Sequence, residues 1–178
     1  MTDLTFPTPE GGNAVTHLLF DWGDTLMADC PERPEPMADW PHVAACDGVA
    51  EALPLLAESF TCAVASNCTA SDAALMQKAF ARVGLAQYFA QFITSKELGA
   101  RKPDAAFFHR AAAQLGCAPA DICMIGNSYA NDIAGAKQAG MTTVLLTGEE
   151  GAYPLADHVI PCFDALLDVL LPGDGGAG

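Results

Sequence analysis

Four polar side chains stand after apolar, strand-like segments and are of types that can do chemistry together: Asp21, Ser66, Lys102 and Asp132. An aspartate can attack an electrophilic phosphorus or carbon atom and form an ester that water later cleaves. A carboxylate beside an apolar strand needs a cation or strong donors to balance its charge, and Lys102 and Asp132 have suitable charges. Carboxylates also suit Mg²⁺, which prefers hard oxygen ligands. These residue types predict covalent group transfer with Asp21 as the nucleophile.

Alternating strand-like and helix-like segments must bring these side chains together. The strand-like segments are VTHLLF, TCAVAS, QFITS, DICMIG, TTVLL and HVI, and the helix-like segments are GVAEALPLLAESF, SDAALMQKAFARVG, DAAFFHRAAAQLG, SYANDIAGAKQAG and FDALLDVLL. Because this order implies crossover connections, we predict a single-domain α/β fold, a Rossmann-like three-layer sandwich with a parallel sheet. Ligands bind such sheets at the carboxyl ends of the strands. The domain is predicted to span residues 14–171, between flexible tails at 1–13 and 172–178 that are rich in Gly and Pro.

The charge balance limits the partners of this protein. The chain has 8 Lys and Arg against 22 Asp and Glu, a formal net charge of −14, which disfavours nucleic acids and anionic membrane surfaces as partners. Because no segment has the roughly 20 apolar residues needed to cross a bilayer, and the N-terminus has no basic leader, we expect a cytoplasmic protein. An anionic substrate would need a local site made by a metal, a lysine or helix N-termini.

The Pro-rich segment 28–46 interrupts the alternation, since it has neither a helical nor a strand period. One interpretation is a stiff surface loop without further role. Loops of this length are uncommon in compact domains, however, and are often lids, specificity loops or contact surfaces. The sequence leaves both interpretations open.

Four motifs in this order resemble those of the haloacid dehalogenase (HAD) superfamily of hydrolases, most of which are phosphatases. The motifs are LLFDWGDTL, VASN, GARKPDAAFF and IGNSYANDIAGAKQAGM, and the resemblance runs from about residue 15 to residue 147. It implies Mg²⁺-dependent hydrolysis of a phosphate monoester through an aspartyl intermediate. In this scheme Asp21 attacks, while Ser66 and Lys102 hold the phosphoryl group.

The stretch between the first two motifs is too short for the helical cap that many family members insert there. We therefore expect a HAD-like fold without a large cap, with segment 28–46 in its place. Such an open site suits a phosphorylated small molecule or a larger phosphorylated substrate. A second copy of the chain in a homo-oligomer is another way to cover the site.

The resemblance also implies a Mg²⁺ site formed by Asp21, Asp132, Asn127 and the backbone carbonyl of Gly23. Most family phosphatases have an aspartate where this chain has Asn127. The amide oxygen of Asn127 can still bind Mg²⁺, but as a neutral dipole, so we expect a lower affinity. Asparagine at this position also fits a metal-free dehalogenase-type hydrolase, although no arginine follows Asp21 closely enough to receive a halide.

A second departure from the family concerns proton transfer. Family phosphatases usually carry an aspartate two residues after the nucleophile, where this chain has Gly23. General acid–base help is worth ~10²–10⁴-fold, so its loss would cost most with a poor leaving group. Asp24 is the candidate substitute. Without a substitute, the alternative is a catalytically weakened HAD-like module that binds a partner or a phosphorylated ligand.

Three further residues next to the motifs are candidates for contact with the substrate: Trp22, Thr25 and Asn67. Thr25 and Asn67 are expected to hold their loops and to donate hydrogen bonds to the substrate. Trp22 has two open interpretations, one facing the substrate and one packing in the core.

Overall fold

The computed structural model describes residues 14–171 and contains a six-stranded sheet in which every pair of neighbours is parallel. The strands are β1 (His17–Phe20), β2 (Thr61–Ser66), β3 (Phe89–Thr94), β4 (Ile122–Gly126), β5 (Thr142–Leu146) and β6 (His158–Ile160). Their order is β3-β2-β1-β4-β5-β6, so the strand order reverses between β1 and β4. Ligand sites of open parallel sheets lie at such a reversal. The predicted α/β fold is confirmed, and the tails predicted at 1–13 and 172–178 lie outside the described residues.

Helices cover both faces of the sheet. They are α1 (Val49–Ser59), α2 (Ala73–Arg82), α3 (Ser95–Leu98), α4 (Ala105–Leu115), α5 (Ala134–Gln138) and α6 (Asp164–Leu170). Helices α1, α2 and α6 pack in one apolar cluster, and α4 and α5 pack in a second cluster on the opposite face. Within residues 14–171, no helix has the length and apolar character that a bilayer crossing requires.

Strand β1 lies at the centre of both clusters because its side chains alternate between the two faces. Leu18 and Phe20 belong to the cluster of α1, α2 and α6, while Leu19 belongs to the cluster of α4 and α5. All three side chains are fully buried. This continuous apolar run is typical of a parallel strand that is covered on both faces, and it fixes the position at which Asp21 leaves the sheet.

The chain leaves β4 through a wider turn than the predicted helix over residues 128–140 implies. Tyr129–Ile133 form a π-helix that continues into α5. The backbone N–H of Ser128 donates to Asp132 Oδ2 at 3.0 Å, and the N–H of Asp132 donates to the carbonyl of Ser128 at 2.8 Å. These bonds tie the Asp132 carboxylate to the end of β4.

Segment 28–46 is anchored to the domain at its base and at its middle. The N–H of Ala28 donates to the carbonyl of Ala44 at 3.0 Å, which closes its base. In its middle lies a short 3-10 helix, Met37–Asp39, which the sequence did not predict. The Arg82 guanidinium of α2 donates to three carbonyls around this turn, those of Ala38, Trp40 and Pro41. The segment is therefore held against α2.

Gly135 of α5 gives a direct test of the packing between α5 and the loop that carries Lys102. A Cβ atom at this position would lie 2.5 Å from the Phe108 ring and closer still to the carbonyl oxygen of Pro103. Helix propensity alone would make Gly135→Ala favourable by up to about 1 kcal/mol. We expect the overlap to outweigh this, with a loss of about 1–3 kcal/mol in the free energy of unfolding measured with urea.

The matched control is Gly148→Ala, where an added Cβ would meet nothing within 4 Å. Its free energy of unfolding should stay within about 0.5 kcal/mol of the parent protein. A Gly135→Ala protein as stable as the parent would show that α5 does not need this close approach.

Candidate active site

The ammonium group of Lys102 is the centre of a buried ionic cluster at the carboxyl edge of the sheet. Its Nζ donates to Asp21 Oδ1 at 2.7 Å, to Asp132 Oδ1 at 2.7 Å and to the backbone carbonyl of Ala65 at 3.0 Å. The side chains of Lys102 and Asp132 are 2% and 1% exposed, and that of Asp21 is 15% exposed. Three residues from distant parts of the sequence thus meet, and all three N–H groups of the ammonium have acceptors.

Asn67 holds the backbone of Lys102 in place. Its side-chain Nδ2 donates to the carbonyl of Lys102, and its Oδ1 accepts from the N–H of Lys102, both at 2.8 Å. The loop after β2 is therefore clamped to the loop before α4. Both polar atoms of the Asn67 side chain are used in this clamp, so the structure gives Asn67 the loop-holding role that its sequence position suggested.

Gly126 makes room for Asp132. It is the last residue of β4, and a Cβ atom there would overlap the carboxylate of Asp132. The absence of a side chain at the strand end lets this carboxylate lie against the backbone and reach Lys102. The π-helical turn Tyr129–Ile133 carries Asp132 and holds it next to this strand end.

Two carboxylates share one ammonium, so the cluster has excess negative charge. Burial acts to lower the pKa of Lys102, but contact with Asp21 and Asp132 outweighs it and raises the pKa above its ordinary value. Burial, reinforced by the charge of Asp21, raises the pKa of Asp132 to about 6 against the opposing effect of Lys102. Both shifts have the sign expected where negative charge exceeds positive charge. The cluster therefore favours an additional cation.

The second oxygen of Asp21 faces a different set of oxygen atoms. The Thr25 hydroxyl lies 3.5 Å from Asp21 Oδ2 and 3.2 Å from Asn127 Oδ1, so its one proton can be donated to either of these oxygens. Thr25 itself is fully buried. Carboxylate and amide oxygens of this kind fit Mg²⁺, with water and ligand oxygens completing its octahedron. In the described part of the chain, no cluster of three or more His, Cys, Asp or Glu side chains suited to a metal occurs.

A cleft of about 350 Å³ opens beside the cluster. Seven of the residues predicted from the sequence line it: Asp21, Trp22, Gly23, Ser66, Asn67, Lys102 and Asp132. One wall comes from segment 28–46, through Asp29, Cys30, Pro31, Arg33, Glu35, Met37 and Trp40. The segment therefore lines the same cleft as these predicted residues. Thr25, Asn127 and Asp24 are not among the lining residues.

Asp24 is bonded through its side chain to segment 28–46. It has a left-handed backbone with φ of 55°, and its Oδ1 accepts from the N–H of Asp29 at 3.0 Å. The structure thus places Asp29, which the sequence analysis missed, at the cleft and Asp24 behind it. No motif pointed to Asp29, because its position depends on how the chain turns between Trp22 and Met27.

Two residues of the cleft carry a buried polar atom without a hydrogen-bond partner. Within residues 14–171, Trp22 Nε1 and Ser71 Oγ are the buried side-chain nitrogen or oxygen atoms without a hydrogen-bond partner. Both residues line the cleft. The Trp22 ring also lies 6.5 Å from the ring of Phe80 in the core, so Trp22 fits both of its sequence interpretations.

Comparison with known sequences identifies similar phosphatases. The family model described as haloacid dehalogenase-like hydrolase matches residues 30–146. The glyceraldehyde 3-phosphate phosphatase of Methanopyrus kandleri is 35% identical over 98 residues, which cover 50% of this chain and 41% of that protein. The phosphoserine phosphatase of Thermus thermophilus is 34% identical over 70 residues, which cover 39% of this chain and 28% of that protein. The matched part is thus less than half the length of these relatives.

Solved structures share the fold over most of this chain. A protein from Listeria monocytogenes serotype 4b has a TM-score of 0.73 and 26% identity, covering 87% of this chain and 98% of that one. The 2-haloacid dehalogenase of Pseudomonas syringae pv. Tomato has a TM-score of 0.71 and 22% identity, covering 88% and 98%. At this identity the second likeness supports the fold alone.

Replacement of Lys102 by methionine should destabilise the protein, because the carboxylates of Asp21 and Asp132 then face each other without a cation. We expect Lys102→Met to lower the free energy of unfolding near pH 7 by about 3–5 kcal/mol, since a buried charge loses its partner. Without the ammonium, the folded-state pKa of Asp132 should rise further above its unfolded value. The folded variant then binds more protons than the unfolded chain, so its stability increases as pH falls. Urea unfolding at about pH 7.5 and about pH 5.5 should show a smaller loss at the lower pH.

Lys78→Met is the matched control for this experiment. Lys78 forms an exposed ion pair with Asp39 at 3.3 Å, and exposed pairs contribute little. Its effect should be small at both pH values. A loss for Lys102→Met that does not shrink toward low pH would contradict the assignment of excess negative charge to the cluster.

Proposed function

Because this chain belongs to the haloacid dehalogenase-like hydrolase family, we propose that it hydrolyses phosphate monoesters with Mg²⁺ through an aspartyl-phosphate intermediate. The observation that carries the proposal is the contact of Lys102 with both Asp21 and Asp132 at the reversal of strand order. This contact orients the Asp21 carboxylate and leaves its second oxygen free of the ion pair. An oriented carboxylate at the open end of a cleft can attack the phosphorus atom of a bound ester.

Ser66 and Lys102 hold the transferring phosphoryl group in this scheme. The Ser66 hydroxyl oxygen accepts from the N–H of Cys68 at 3.1 Å, so its proton remains available to a phosphate oxygen. Ser66 is 7% exposed and lines the cleft. A hydroxyl and an ammonium group fixed before the substrate arrives stabilise the charge on the equatorial oxygens of an in-line transfer.

The charge of the site, as well as the family resemblance, supports a bound Mg²⁺ ion. A phosphate dianion that enters the cleft meets a cluster with more carboxylates than ammonium groups, and this repulsion opposes binding. Asp21, Asp132, Asn127 and the carbonyl of Gly23 would hold Mg²⁺, which supplies the missing positive charge. The neutral amide of Asn127 makes this site weaker than one with a third carboxylate.

The substrate class is a phosphorylated small molecule or a larger phosphorylated substrate. Segment 28–46 forms one wall of the cleft, with Trp40 and Met37 as its apolar part and Arg33 paired with Glu35 as its polar part. Sugar and amino acid phosphates, as in the names of the similar phosphatases, are of a size that fits a cleft of about 350 Å³. Segment 28–46 takes the place of a cap in this proposal.

The second candidate is a weakly catalytic module that binds phosphorylated ligands. It is favoured by one observation, the engagement of the Asp24 carboxylate with the backbone of Asp29 instead of the cleft. Both candidates use Asp21, Ser66 and Lys102 to receive a phosphoryl group. They differ in turnover, which the next experiment measures.

Hydrolysis of p-nitrophenyl phosphate tests the enzymatic proposal, because this leaving group needs little protonation. We expect Mg²⁺-dependent release of p-nitrophenol that a chelator abolishes and excess Mg²⁺ restores. Asp21→Asn should lower kcat by about 10³-fold or more, since it removes the nucleophile. The assay is the absorbance of p-nitrophenolate.

The control is Asp47→Asn, which changes an exposed aspartate that does not line the cleft. Its rate should match that of the parent. If the parent protein binds phosphate but shows no Mg²⁺-dependent turnover, the binding module is the correct function. Release of halide from a 2-haloacid without metal would instead support the dehalogenase-type alternative.

A further inference from the structure

Asp29 occupies the space that a side chain at position 23 would take. A Cβ atom built on Gly23 would lie 2.9 Å from Asp29 Oδ2 and 3.2 Å from both Cβ and Cγ of Asp29. Any side chain at position 23 would therefore displace the Asp29 carboxylate. Glycine at this position lets a carboxylate from segment 28–46 reach the turn that follows the nucleophile.

The Asp29 carboxylate is oriented by its neighbours and keeps one oxygen free. Its Oδ1 accepts from the N–H of Cys30 at 2.8 Å, and its own N–H donates to Asp24 Oδ1 at 3.0 Å. Within residues 14–171, no side chain or backbone group donates to Oδ2. Asp29 lines the same cleft as Asp21. The free oxygen is therefore in a position to exchange a proton with a ligand in that cleft.

The other carboxylates of the cleft are bonded to cations. Asp21 and Asp132 share the Lys102 ammonium, and Glu35 is paired with Arg33 at 2.7 Å. Among the described residues that line the cleft, Asp29 is the remaining carboxylate. Hydrolysis of an alkyl phosphate needs a proton donor for the leaving oxygen, and the cleft offers Asp29 for it.

We infer that Asp29 is the general acid and general base of the reaction proposed above, and this inference rests on that proposed function. In the first step Asp21 attacks phosphorus, the bond between phosphorus and the ester oxygen breaks, and the leaving oxygen takes the proton of the Asp29 carboxylic acid. The products of this step are an alcohol and aspartyl phosphate. In the second step the Asp29 carboxylate takes a proton from water as the water oxygen attacks phosphorus. The bond to Asp21 breaks, inorganic phosphate leaves, and Asp29 is protonated again.

Asp24 is a positioning residue in this scheme. Its carboxylate holds the backbone N–H of Asp29, and its left-handed backbone turns the chain toward segment 28–46. The role that the sequence analysis considered for Asp24 itself thus passes to the residue that Asp24 holds.

The test compares two substrates whose leaving groups differ in their need for a proton, p-nitrophenyl phosphate and ethyl phosphate. The variant Asp29→Asn keeps the acceptor for the Cys30 N–H but removes the exchangeable proton. We expect kcat/KM for ethyl phosphate to fall by ~10²–10⁴-fold, while kcat/KM for p-nitrophenyl phosphate changes by only a few fold. Loss of the base should lower kcat for p-nitrophenyl phosphate, with accumulation of the aspartyl phosphate.

Glu32→Gln is the control, since it changes an exposed carboxylate of the same segment that does not line the cleft. Both substrates should be turned over at the parental rate. If the parent hydrolyses both substrates and Asp29→Asn still cleaves ethyl phosphate at the parental rate, the inference about Asp29 is wrong and the proposed function stands. If the parent hydrolyses neither substrate, the proposed function itself is wrong.

Moving the carboxylate tests whether a proton donor in this space can serve the reaction. In the double variant Asp29→Ala with Gly23→Asp, the aspartate at position 23 extends into the space that Asp29 vacates. We expect it to recover at least about tenfold of the kcat/KM for ethyl phosphate that Asp29→Ala loses. A double variant that folds but recovers nothing counts against a proton-transfer role for this space.

Discussion

A buried ammonium group shared by two carboxylates is the constraint on which the rest of this structure depends. Removing three charges from water is costly, and the cost is offset only where every donor and acceptor is satisfied. Lys102 meets this condition with Asp21, Asp132 and the carbonyl of Ala65. Glycine at 126 and at 135, where a Cβ would overlap Asp132 and Pro103 respectively, brings the surrounding backbone close enough. Much of the local architecture at the sheet edge therefore serves one arrangement of charges.

The shared Lys102 ammonium also limits the ways in which an acidic protein can bind an anionic substrate. The chain has a formal net charge of −14, and its most buried charges are themselves negative in sum. Electrostatic attraction over long range cannot bring a phosphate ester to this cleft. In the proposed function, binding comes from short-range groups, namely the Lys102 ammonium, the Ser66 hydroxyl and a divalent cation held by oxygen atoms. In that proposal the excess of carboxylates couples the affinity for the metal ion to the affinity for phosphate.

The sequence predicted the features that depend on local pattern and missed those that depend on tertiary contact. Strands such as TCAVAS and TTVLL were predicted at their observed bounds, since unbroken apolar runs between polar residues mark strands covered on both faces. Lys102, Asp21 and Asp132 could be placed at one edge because the carboxyl ends of parallel strands share an edge. The π-helical turn at Tyr129–Ile133 could not be predicted, because it is closed by bonds between Ser128 and Asp132 that no periodicity reveals. Asp29 was missed for the same reason, since only the folded turn brings it beside Gly23.

In the proposed reaction, segment 28–46 carries the proton donor Asp29 in addition to forming one wall of the cleft. A proton donor on the turn after β1 would be fixed by the sheet itself. Asp29 is fixed instead by Asp24 at one side and by a segment whose middle is held by the Arg82 guanidinium of α2. Asp29 and the apolar wall around Trp40 therefore belong to one anchored segment. In the proposed reaction, a substrate that displaces the wall also displaces Asp29, so recognition of the leaving group and its protonation are physically linked.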